Sequence, residues 1–590
     1  MHPSYYLNSS SSRAPLRIGL LLNGGELPAW VVEVLEQIAQ SNFARVQLVV
    51  YWAPLGHKQS LLRRVIGAVR KKSARRGLLF RLYVRWDRRR TRGRDDPFRK
   101  MDCGAFLNQI ESMRVAPLSK RAVDRFPSEA IEQIRSMELD VLIRFGFNIL
   151  RGEILEAARY GVWSYHHEDN EFYRGGPPCF WEVVEGNAIT GAMLQVLTED
   201  LDAGRVLTKG CFRTHPSGSW SRNRMQPYWG ASTFAIEKLR QLHEQGWEQV
   251  EKEIAPAAPY RGRRGIYTMP TNGQMVRWLG RKLARSAIAA ATWLPRRLRI
   301  DHWMLGVHSG ERTRLTKGGT EEIGRFRWVQ SPRGHFYADP FLFRHQGSTW
   351  LFFEDYDYRS RRGSIAAAAV LADGTLSPAV RVLERPYHLS YPCIFEDGGE
   401  VYMIPETREH GTVEMYRCKA FPREWELVRE FLQASAVDTT VWSEGGVHWF
   451  FVTMRERRGG GLQLWLFSSR GIEEDWQPHP VNPISTDIRS SRGGGAIFRE
   501  GTRLMRPSQD CSGNYGRSFT LNEILVLNER EYRERPCGTV EAPLGMIGTH
   551  TYGRLDGVEA IDGCVSRSIF KVYDVRSLSR RIGRKLGLMR

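Results

Sequence analysis

The sequence predicts a multidomain protein: an α/β domain with a Rossmann-type parallel sheet, then an all-β five-bladed propeller, joined by a helical, basic linker. A chain of 590 residues is too long for one hydrophobic core, so two to four domains are expected. Helix and strand patterns alternate in the first part of the chain, whereas paired strands recur about every 50 residues in the last part. The hydrophobic and charged fractions, 42% and 26%, are those of a folded globular protein.

These patterns divide the chain into five parts. They are a flexible N-terminus (1–15), an α/β domain (16–210) with a basic insertion at about 58–100, a helical linker region (211–324), the propeller (325–570) and a basic C-terminal tail (571–590).

The α/β domain follows from the alternation of apolar runs. "LRIGLLLNGGE" is typical of a buried strand that ends in a turn, "WVVEVLEQIAQ" of an amphipathic helix, and "VQLVVYWA" of the next strand. "PSEAIEQIRSMELDVLIRFGF" repeats the pattern, and "RGEILEAARY" predicts one further helix. Ligands of such sheets bind at the carboxyl ends of the strands, so the polar stretch that follows, "GVWSYHHEDNEFYRGGPP" at 161–178, lies where a site is expected.

From about Leu16 to Thr208 the sequence resembles the formyltransferase-fold family. The family pattern is Asn-x-His, an Arg-Gly pair before a proline, Thr-Gly and Leu-Asp-x-Gly. The matching residues here are Ser164-Tyr165-His166, Arg174-Gly175, Thr190-Gly191 and Leu201-Asp202-Ala203-Gly204.

The resemblance implies roles for these residues. His166 would be the catalytic histidine, Asp202 its supporting carboxylate, and Ser164, in place of asparagine, an oxyanion donor. The other implied assignments are Arg174 and Gly175 to the substrate, and Gly146, Asn148 and Leu150 to the formyl donor, 10-formyltetrahydrofolate.

Two departures from the family pattern lie near the donor region. "EDNE" at 168–171 replaces a Ser-Leu-Leu-Pro segment, and Arg151 replaces a proline. With His167, Glu168 and Asp169 the pocket could instead serve a hydrolase or a different acyl transfer, or His166 could be a structural residue of a degenerate site.

The charge indicates anionic partners. The net charge of +21 favours phosphate, a nucleotide sugar, nucleic acid or anionic lipid. Residues 61–100 hold sixteen Lys or Arg against three Asp, interleaved with apolar residues, and "GQMVRWLGRKLARSAIAAATWL" at 273–294 is a second basic amphipathic helix. Each of these two basic segments is either a solvent-exposed helix face or a surface that binds the membrane. Nucleic acid is the least favoured partner.

The eight cysteines lie far apart, which predicts neither a metal site nor a disulfide scaffold. There is no signal pattern and no apolar run long enough to cross a membrane. We therefore expect a cytoplasmic protein, peripheral at the inner face of the membrane if it meets one.

The second half predicts the propeller. A polar entry, a strand, a turn and a second strand recur at 338–355, 390–407, 438–453, 494–510 and 549–564. Asp339, Ser390, Asp438 and Thr549 occupy the entry position of four repeats, while Glu354 and Glu406 end second strands. Because glycoside chemistry needs paired carboxylates, Asp339, Glu406 and Asp438 are the candidate triad, with a structural or glycan-binding role as the alternative.

Two further resemblances concern this half. The Ala-Asp-Pro entry resembles that of arabinanase-like five-bladed glycosidases. "ADPFLF", "LSYPCIFEDGGEVYMIPE" and "RPSQDCSGNYG" resemble the propeller domain of plant glucosaminyl inositolphosphorylceramide transferases.

Together the halves predict an enzyme that transfers a formyl group to the amine of an amino-sugar nucleotide or glycoconjugate in surface-polysaccharide or glycolipid biosynthesis. The alternatives are a propeller that performs glycoside transfer or hydrolysis beside a degenerate formyltransferase domain, and a glycan-binding scaffold.

Overall fold

The computed structural model describes residues 7–53, 76–91, 93, 95–120, 123–199, 204–254, 259–317, 319–455 and 459–572. The chain divides into two compact units, named here the α/β unit (Ser4–Ala284 with Glu456–Gly461) and the propeller unit (Met1–Pro3, Arg285–Arg455 and Leu462–Arg590). Asp202, most of the first basic segment (54–75) and the basic tail from 573 onward lie outside the described residues.

A seven-stranded sheet forms the centre of the α/β unit. Its order is Arg205–Arg213, Ile189–Val196, Val162–His166, Val141–Arg144, Leu16–Leu22, Ala44–Trp52 and Glu111–Val115. The last five of these strands are parallel, and the first two join antiparallel at one side. The predicted Rossmann-type fold class is confirmed.

The connection between strands reverses beside Leu16–Leu22. The chain first adds Ala44–Trp52 on one side of this strand and later adds Val141–Arg144 on the other. Such a switch point opens a crevice at the carboxyl ends of the two strands. Gly146 lies there, and a Cβ at that position would come within 2.6 Å of Asn23 Oδ1.

Helices cover the sheet. Those of the α/β unit are Ala29–Gln40, Leu78–Thr91, Gly104–Leu107, Ser128–Ser136, Trp181–Glu185, Trp220–Gly230, Phe234–Gln245, Trp247–Lys252 and the first part of Asn272–Ala291. Short strand pairs and triplets lie at the edges: Glu26–Pro28 with Lys100–Asp102, and Leu118–Lys120 with Val123–Arg125 and Ile149–Leu150. No helix among the described residues combines the length and the apolar character needed to cross a membrane.

Three sequence expectations differ from the structure here. The helix expected in "RGEILEAARY" is only a 3₁₀ turn, Glu153–Glu156. The segment "ASTFAIEKLRQLHEQGWEQVEKEI" at 231–254 has the apolar spacing of one amphipathic helix, but this helix breaks at Gly246, whose φ of 86° a helix cannot contain. The helices between Trp220 and Lys252, expected in a linker, bury residues such as Phe234 and Leu239 in the main core of the α/β unit.

Five sheets form the propeller, which confirms the second half of the fold class. Blade 1 is His335–His345, Ser348–Asp357, Arg362–Ala369 and Val380–Leu383; blade 2 is Ser390–Asp397, Glu400–Glu406, Glu414–Ala420 and Glu424–Glu430; blade 3 is Ala436–Glu444, Val447–Arg455, Leu462–Ser469 and Gln477–Pro478. Blade 4 is Arg492–Gly493, Arg503–Asp510, Ser518–Leu527 and Tyr532–Glu541, with Phe498–Glu500 beside its second strand.

Blade 5 is built from both ends of the propeller sequence. Its strands are Tyr552–Leu555, Val558–Ser568, Arg299–Ser309 and Arg327–Val329 in sheet order. The expected propeller start at 325 misses Arg299–Ser309, because this strand finds its partner about 260 residues later in the chain. Short helices (Trp293–Arg297 and Ile569–Val572) and 3₁₀ turns (Leu315–Lys317 and Thr320–Arg325) complete the unit.

Candidate functional site

The first candidate site is at the carboxyl end of Val162–His166. Side chains alternate along a strand, so Ser164 and His166 share one face, and Tyr165 and His167 take the other. The His167 ring stacks on that of Tyr228 with 3.5 Å between centroids. Burial lowers the pKa of His167 well below its ordinary value, so this imidazole is a neutral core residue at neutral pH.

Ser164 is held by a guanidinium group. It lies opposite Arg144 in the parallel register, and Arg144 Nη1 donates to its Oγ at 3.0 Å. Arg144 Nη2 also donates to the carbonyl oxygens of Phe147 (3.2 Å) and Asn148 (2.9 Å). Sequence reasoning did not select Arg144, although a charged residue that ends a buried strand, as in "DVLIR", is a usable signal.

Arg144 has an acidic neighbour. Burial lowers the pKa of this guanidinium, and the Asp124 carboxylate offsets part of that effect. Asp124 in turn accepts hydrogen bonds from Ser119 Oγ and from the backbone and side-chain nitrogens of Asn148. Because arginine keeps its proton in proteins, a positive charge is fixed beside Ser164.

His166 lies next to a buried carboxylate. Its Nε2 is 3.5 Å from Glu168 Oε2; the Glu168 side chain is 2% exposed and that of His166 20%. A carboxylate at this distance can orient an imidazole and favour its charged form, the role that the resemblance implies for Asp202. Asp202 stays a prediction, whereas Glu168 comes from the "EDNE" segment that departs from the family pattern.

The rest of the "EDNE" segment is tied to the sheet. Lys209 Nζ lies 2.8 Å from Asp169 Oδ1 and 2.7 Å from Glu171 Oε1. A Cβ on Gly191 would lie 2.8 Å from the backbone nitrogen of Asp169, so only glycine lets the segment cross the neighbouring strand this closely. The Thr-Gly motif thus has a packing role.

Arg174 and Gly175 lie in a pinned loop. Arg174 Nε donates to the Asn170 carbonyl at 3.0 Å, and its guanidinium lies 4.6 Å from the Tyr260 ring centre. Gly175 has a φ of 109°, and a Cβ there would lie 2.1 Å from the Tyr267 carbonyl oxygen. An open pocket of about 390 Å³ shares this segment and is lined by Phe172, Tyr173, Glu185, Asn187, Arg261, Arg263 and Tyr267, among others.

The three residues assigned to the formyl donor have internal partners. The Asn148 amide nitrogen donates to Asp124, Leu150 is buried, and Gly146 is pressed against Asn23. The Asn148 carbonyl, a potential acceptor for a pterin, is taken by Arg144. These contacts hold the three residues within the protein, and 10-formyltetrahydrofolate stays a prediction.

The second candidate site is in the centre of the propeller unit. Asp339, Tyr391 and Asp438 have φ values of 52°, 46° and 50°, each at a register shift in the first strand of blades 1, 2 and 3. The equivalent residue in blade 2 is therefore Tyr391, and the expectation that Ser390 takes this position is wrong. The bulge adds one residue to each strand, and no alternation pattern shows it.

Asp438 and Glu406 share a cation. Arg492 Nε donates to Asp438 Oδ2, and its Nη2 lies 3.7 Å from Glu406 Oε2. Gln509 Nε2 adds a hydrogen bond to Asp438 at 3.2 Å. Burial and the Asp438 charge raise the pKa of Glu406 well above its ordinary value, against the effect of Arg492.

Asp339 belongs to a second group with a histidine. Thr551 Oγ1 donates to Asp339 Oδ1 at 3.0 Å, and His550 Nδ1 lies 2.5 Å from Asp562 Oδ2 and 3.8 Å from Asp339 Oδ1. Burial raises the pKa of Asp339 to about 6, although His550 opposes the shift. Burial works against charge on His550, but Asp562 and Asp339 outweigh it and raise its pKa.

Asp339, His550 and Asp562 are also the one fully buried group of described residues with ligand atoms close enough, within 4.8 Å of one another, to hold a metal ion. The sequence predicts no metal, and an imidazolium between two carboxylates accounts for the same geometry.

Glu354 connects these groups to an open pocket of about 350 Å³. The pocket is lined mainly by aromatic residues: Trp303, Phe336, Tyr356, Tyr358 and Tyr515, with His388 and His550. Burial, followed by the Asp339 and Glu406 charges, raises the pKa of Glu354 well above its ordinary value. The raised pKa favours the protonated form of Glu354, the form that can donate a proton into the pocket.

The structure thus brings Asp339, Glu406 and Asp438 into one interacting cluster and adds Glu354 and Asp562, which the candidate triad lacks. The strand register shows that Glu354 and Glu406 are equivalent residues of blades 1 and 2. Ala338 pairs with Glu354 in blade 1, and Ser390 pairs with Glu406 in blade 2.

Comparison with known proteins agrees with a two-part chain. Residues 329–552 match a family model described as glucosamine inositolphosphorylceramide transferase 1, N-terminal. The chain is 36% identical over 219 residues to glucosamine inositolphosphorylceramide transferase 1 of Arabidopsis thaliana, which covers 36% of this chain and 28% of that protein. It is 34% identical over 96 residues to methionyl-tRNA formyltransferase of Bacillus mycoides, which covers 16% of this chain and 29% of that protein.

The chain therefore matches less than a third of the length of either curated relative. Among solved structures, Zg3597, a family 117 glycoside hydrolase of Zobellia galactanivorans, aligns with 46% of this chain and 91% of its own, with 11% identity and a TM-score of 0.31. The assignment of the fold depends on the strand order given above.

Proposed function

We propose that the protein transfers a formyl group to the amine of an amino sugar in a nucleotide sugar or glycoconjugate, and that the propeller binds the carbohydrate. The observation that carries the proposal is the pairing of His166 with the buried Glu168 at the carboxyl end of a central strand. The partial similarity to a methionyl-tRNA formyltransferase and to a glucosamine inositolphosphorylceramide transferase supports the two halves separately.

The residues suit this chemistry. In formyl transfer the amine nitrogen bonds to the formyl carbon, the bond from that carbon to its donor breaks, and the amine loses one proton. Negative charge develops on the formyl oxygen, and a charged imidazole next to a carboxylate stabilises it. His166 supplies the imidazole, Glu168 keeps it oriented, and Arg144 adds fixed positive charge next to Ser164.

The propeller suits carbohydrate binding. Sugar rings present apolar faces that pack on aromatic side chains, and hydroxyl groups that carboxylates bind. The pocket beside Glu354 offers both, with Tyr356 and Tyr515 among its lining residues.

A transfer assay on the full chain tests the proposal. We would supply 10-formyltetrahydrofolate with UDP-glucosamine or a glucosamine-containing disaccharide and follow formylation of the acceptor by mass spectrometry. We expect product with the wild type, loss with His166→Ala, and transfer with the matched control His215→Ala. Donor binding without transfer to any amine, unchanged in His166→Ala, would contradict the proposal.

A second candidate function has its own observation. Glu354 and Asp438 lie in different surroundings: burial raises the pKa of Glu354, whereas Asp438 accepts a hydrogen bond from Arg492. Glycoside cleavage or transfer needs such a pair, with one carboxyl group as the acid and the other as base or nucleophile. Incubation with oligosaccharides would then release or transfer sugar in the wild type, with loss in Glu354→Gln and Asp438→Asn but not in His166→Ala. No turnover together with glycan binding by calorimetry would leave the pocket a binding site.

A further inference from the structure

We infer that one face of the α/β unit, formed by two neighbouring helices, docks on an anionic lipid surface. The helices are Leu78–Thr91 and the first part of Asn272–Ala291. This inference is independent of the proposed function, since it concerns where the enzyme is held and not which group it transfers.

The two helices lie side by side. The rings of Tyr83 and Trp278 meet edge to face with centroids 5.0 Å apart, and the Leu79 amide donates to Asn272 Oδ1 at 3.0 Å. Neighbouring apolar and basic residues on the two helices therefore belong to one continuous surface.

Both helices bury one side against the same segment. Asp87 of the first helix accepts hydrogen bonds from Ser219 Oγ (2.8 Å) and from the Ser221 amide (2.7 Å). Lys282 of the second helix donates to the Gly218 carbonyl at 2.9 Å. Since their inner sides meet the same stretch of chain, their outer sides face away from it together.

The outer side of the first helix is apolar at helical spacing. Leu78, Leu82 and Trp86 follow one another every four residues and are 52%, 55% and 49% exposed. On the second helix Val276 and Leu283 are 59% and 71% exposed at a spacing of two turns. Five large apolar side chains on one surface are more than isolated exposed residues, and they mark an interaction site.

Positive charge surrounds these side chains. The exposed arginines on the two helices are Arg81, Arg85, Arg88, Arg89, Arg90, Arg277 and Arg281. The one acidic residue of Leu78–Thr91, Asp87, is buried on the inner side. Exposed leucine and tryptophan beside arginine form the surface of an interfacial helix, in which apolar groups enter the headgroup boundary and cations meet anionic lipids.

Vesicle flotation of the full chain tests the inference. We expect binding to phosphatidylcholine vesicles that contain phosphatidylglycerol, little binding to phosphatidylcholine alone, and weaker binding at high salt. The combined variant Arg81→Gln, Arg85→Gln, Arg89→Gln should weaken binding about 100-fold, because each cation near the surface contributes a factor of about 5. Glutamine is a good helix former, so the helix should persist.

Matched variants separate the surface from net charge and from folding. Arg45→Gln, Arg114→Gln, Arg159→Gln removes the same charge from exposed positions on other elements and should leave binding unchanged. Leu78→Gln, Leu82→Gln, Trp86→Gln keeps every charge and should weaken binding at least about 10-fold, since it removes the apolar contact with the headgroup boundary. Leu118→Gln, an exposed leucine elsewhere in the unit, is its control. Circular dichroism confirms folding of each variant.

Three results would overturn the inference. The first is equal loss of vesicle binding in both arginine variants, which would show that only net charge counts. The second is binding to an RNA duplex that depends on the arginines but not on Leu82 and Trp86, which would assign the face to nucleic acid. The third is a concentration-dependent dimer in sedimentation that the leucine and tryptophan variant abolishes while vesicle binding is absent.

Discussion

The two candidate sites handle charge in opposite ways. In the α/β unit oppositely charged side chains near the site lie in small local groups: Lys209 with Asp169 and Glu171, and His166 with Glu168. In the propeller unit five interacting carboxyl groups lie among the basic side chains of Arg492, His388 and His550. The five are those of Asp339, Glu354, Glu406, Asp438 and Asp562. Because these acidic groups outnumber the basic ones, bound protons make up part of the difference, and the charge of the propeller cluster depends on pH.

The largest expected effect tests the α/β site. His166→Ala should lower the rate of formyl transfer about 100- to 10,000-fold, since it removes the group that stabilises the developing oxyanion. Steady-state kinetics measures the loss, and thermal melting should show an unchanged fold. Asp339→Asn, measured in parallel, should retain transfer. Equal losses of transfer in the two variants would contradict the assignment of formyl transfer to the α/β site alone.

The next effect tests how the propeller cluster is held. Arg492→Met leaves Asp438 and Glu406 buried without their cation, and we expect a loss of about 3–5 kcal/mol in the free energy of unfolding of the propeller unit. Urea denaturation measures it. Arg499→Met, which removes the exposed partner of Glu444, is the matched control and should cost at most about 1 kcal/mol. Similar losses in both would show that the cluster is solvated.

The next prediction concerns how the stability of the protein depends on pH through Asp339. The folded pKa of Asp339, about 6, lies above its ordinary value of 3.8. The folded protein therefore holds this proton more tightly than the unfolded chain, and the stability it contributes is present below about pH 4 and lost as pH rises to about 6. Asp339→Asn should remove up to about 3 kcal/mol of this decline. Unfolding curves across the range test it, and parallel profiles for wild type and variant would contradict it.

The smallest effect concerns packing of the "EDNE" segment. Gly191→Ala forces the strand and the Asp169 backbone apart and should cost about 1–3 kcal/mol. Gly24→Ala, where the added methyl group meets nothing within 4 Å, is the control. Differential scanning calorimetry should show a lower melting temperature for Gly191→Ala alone.

The sequence predicts what is local and misses what depends on distant pairing. Periodicity is enough to place Leu16–Leu22 and Ala29–Gln40, and motif order selects His166. Arg144 becomes a neighbour of Ser164 only through the register of two strands that are not consecutive hairpin partners. That register is a tertiary property.

The propeller follows the same rule. The repeat of about 50 residues predicts the blades. The bulge that puts Tyr391 rather than Ser390 in line with Asp339 leaves no trace in hydrophobic alternation, and the strand Arg299–Ser309 closes blade 5 from far upstream. In the sequence Glu354 stands out as a carboxylate near the end of a second strand, but its place in the cluster depends on how the blades meet.

The most direct test of the division between the two sites is a kinetic comparison of His166→Ala with Tyr515→Ala, using formyl transfer to a glucosamine-containing acceptor. Our account predicts that His166→Ala lowers kcat with little change in the KM for the acceptor, whereas Tyr515→Ala raises that KM and leaves kcat near the wild-type value. A lower kcat in Tyr515→Ala with normal turnover in His166→Ala would contradict it and move the chemistry to the propeller.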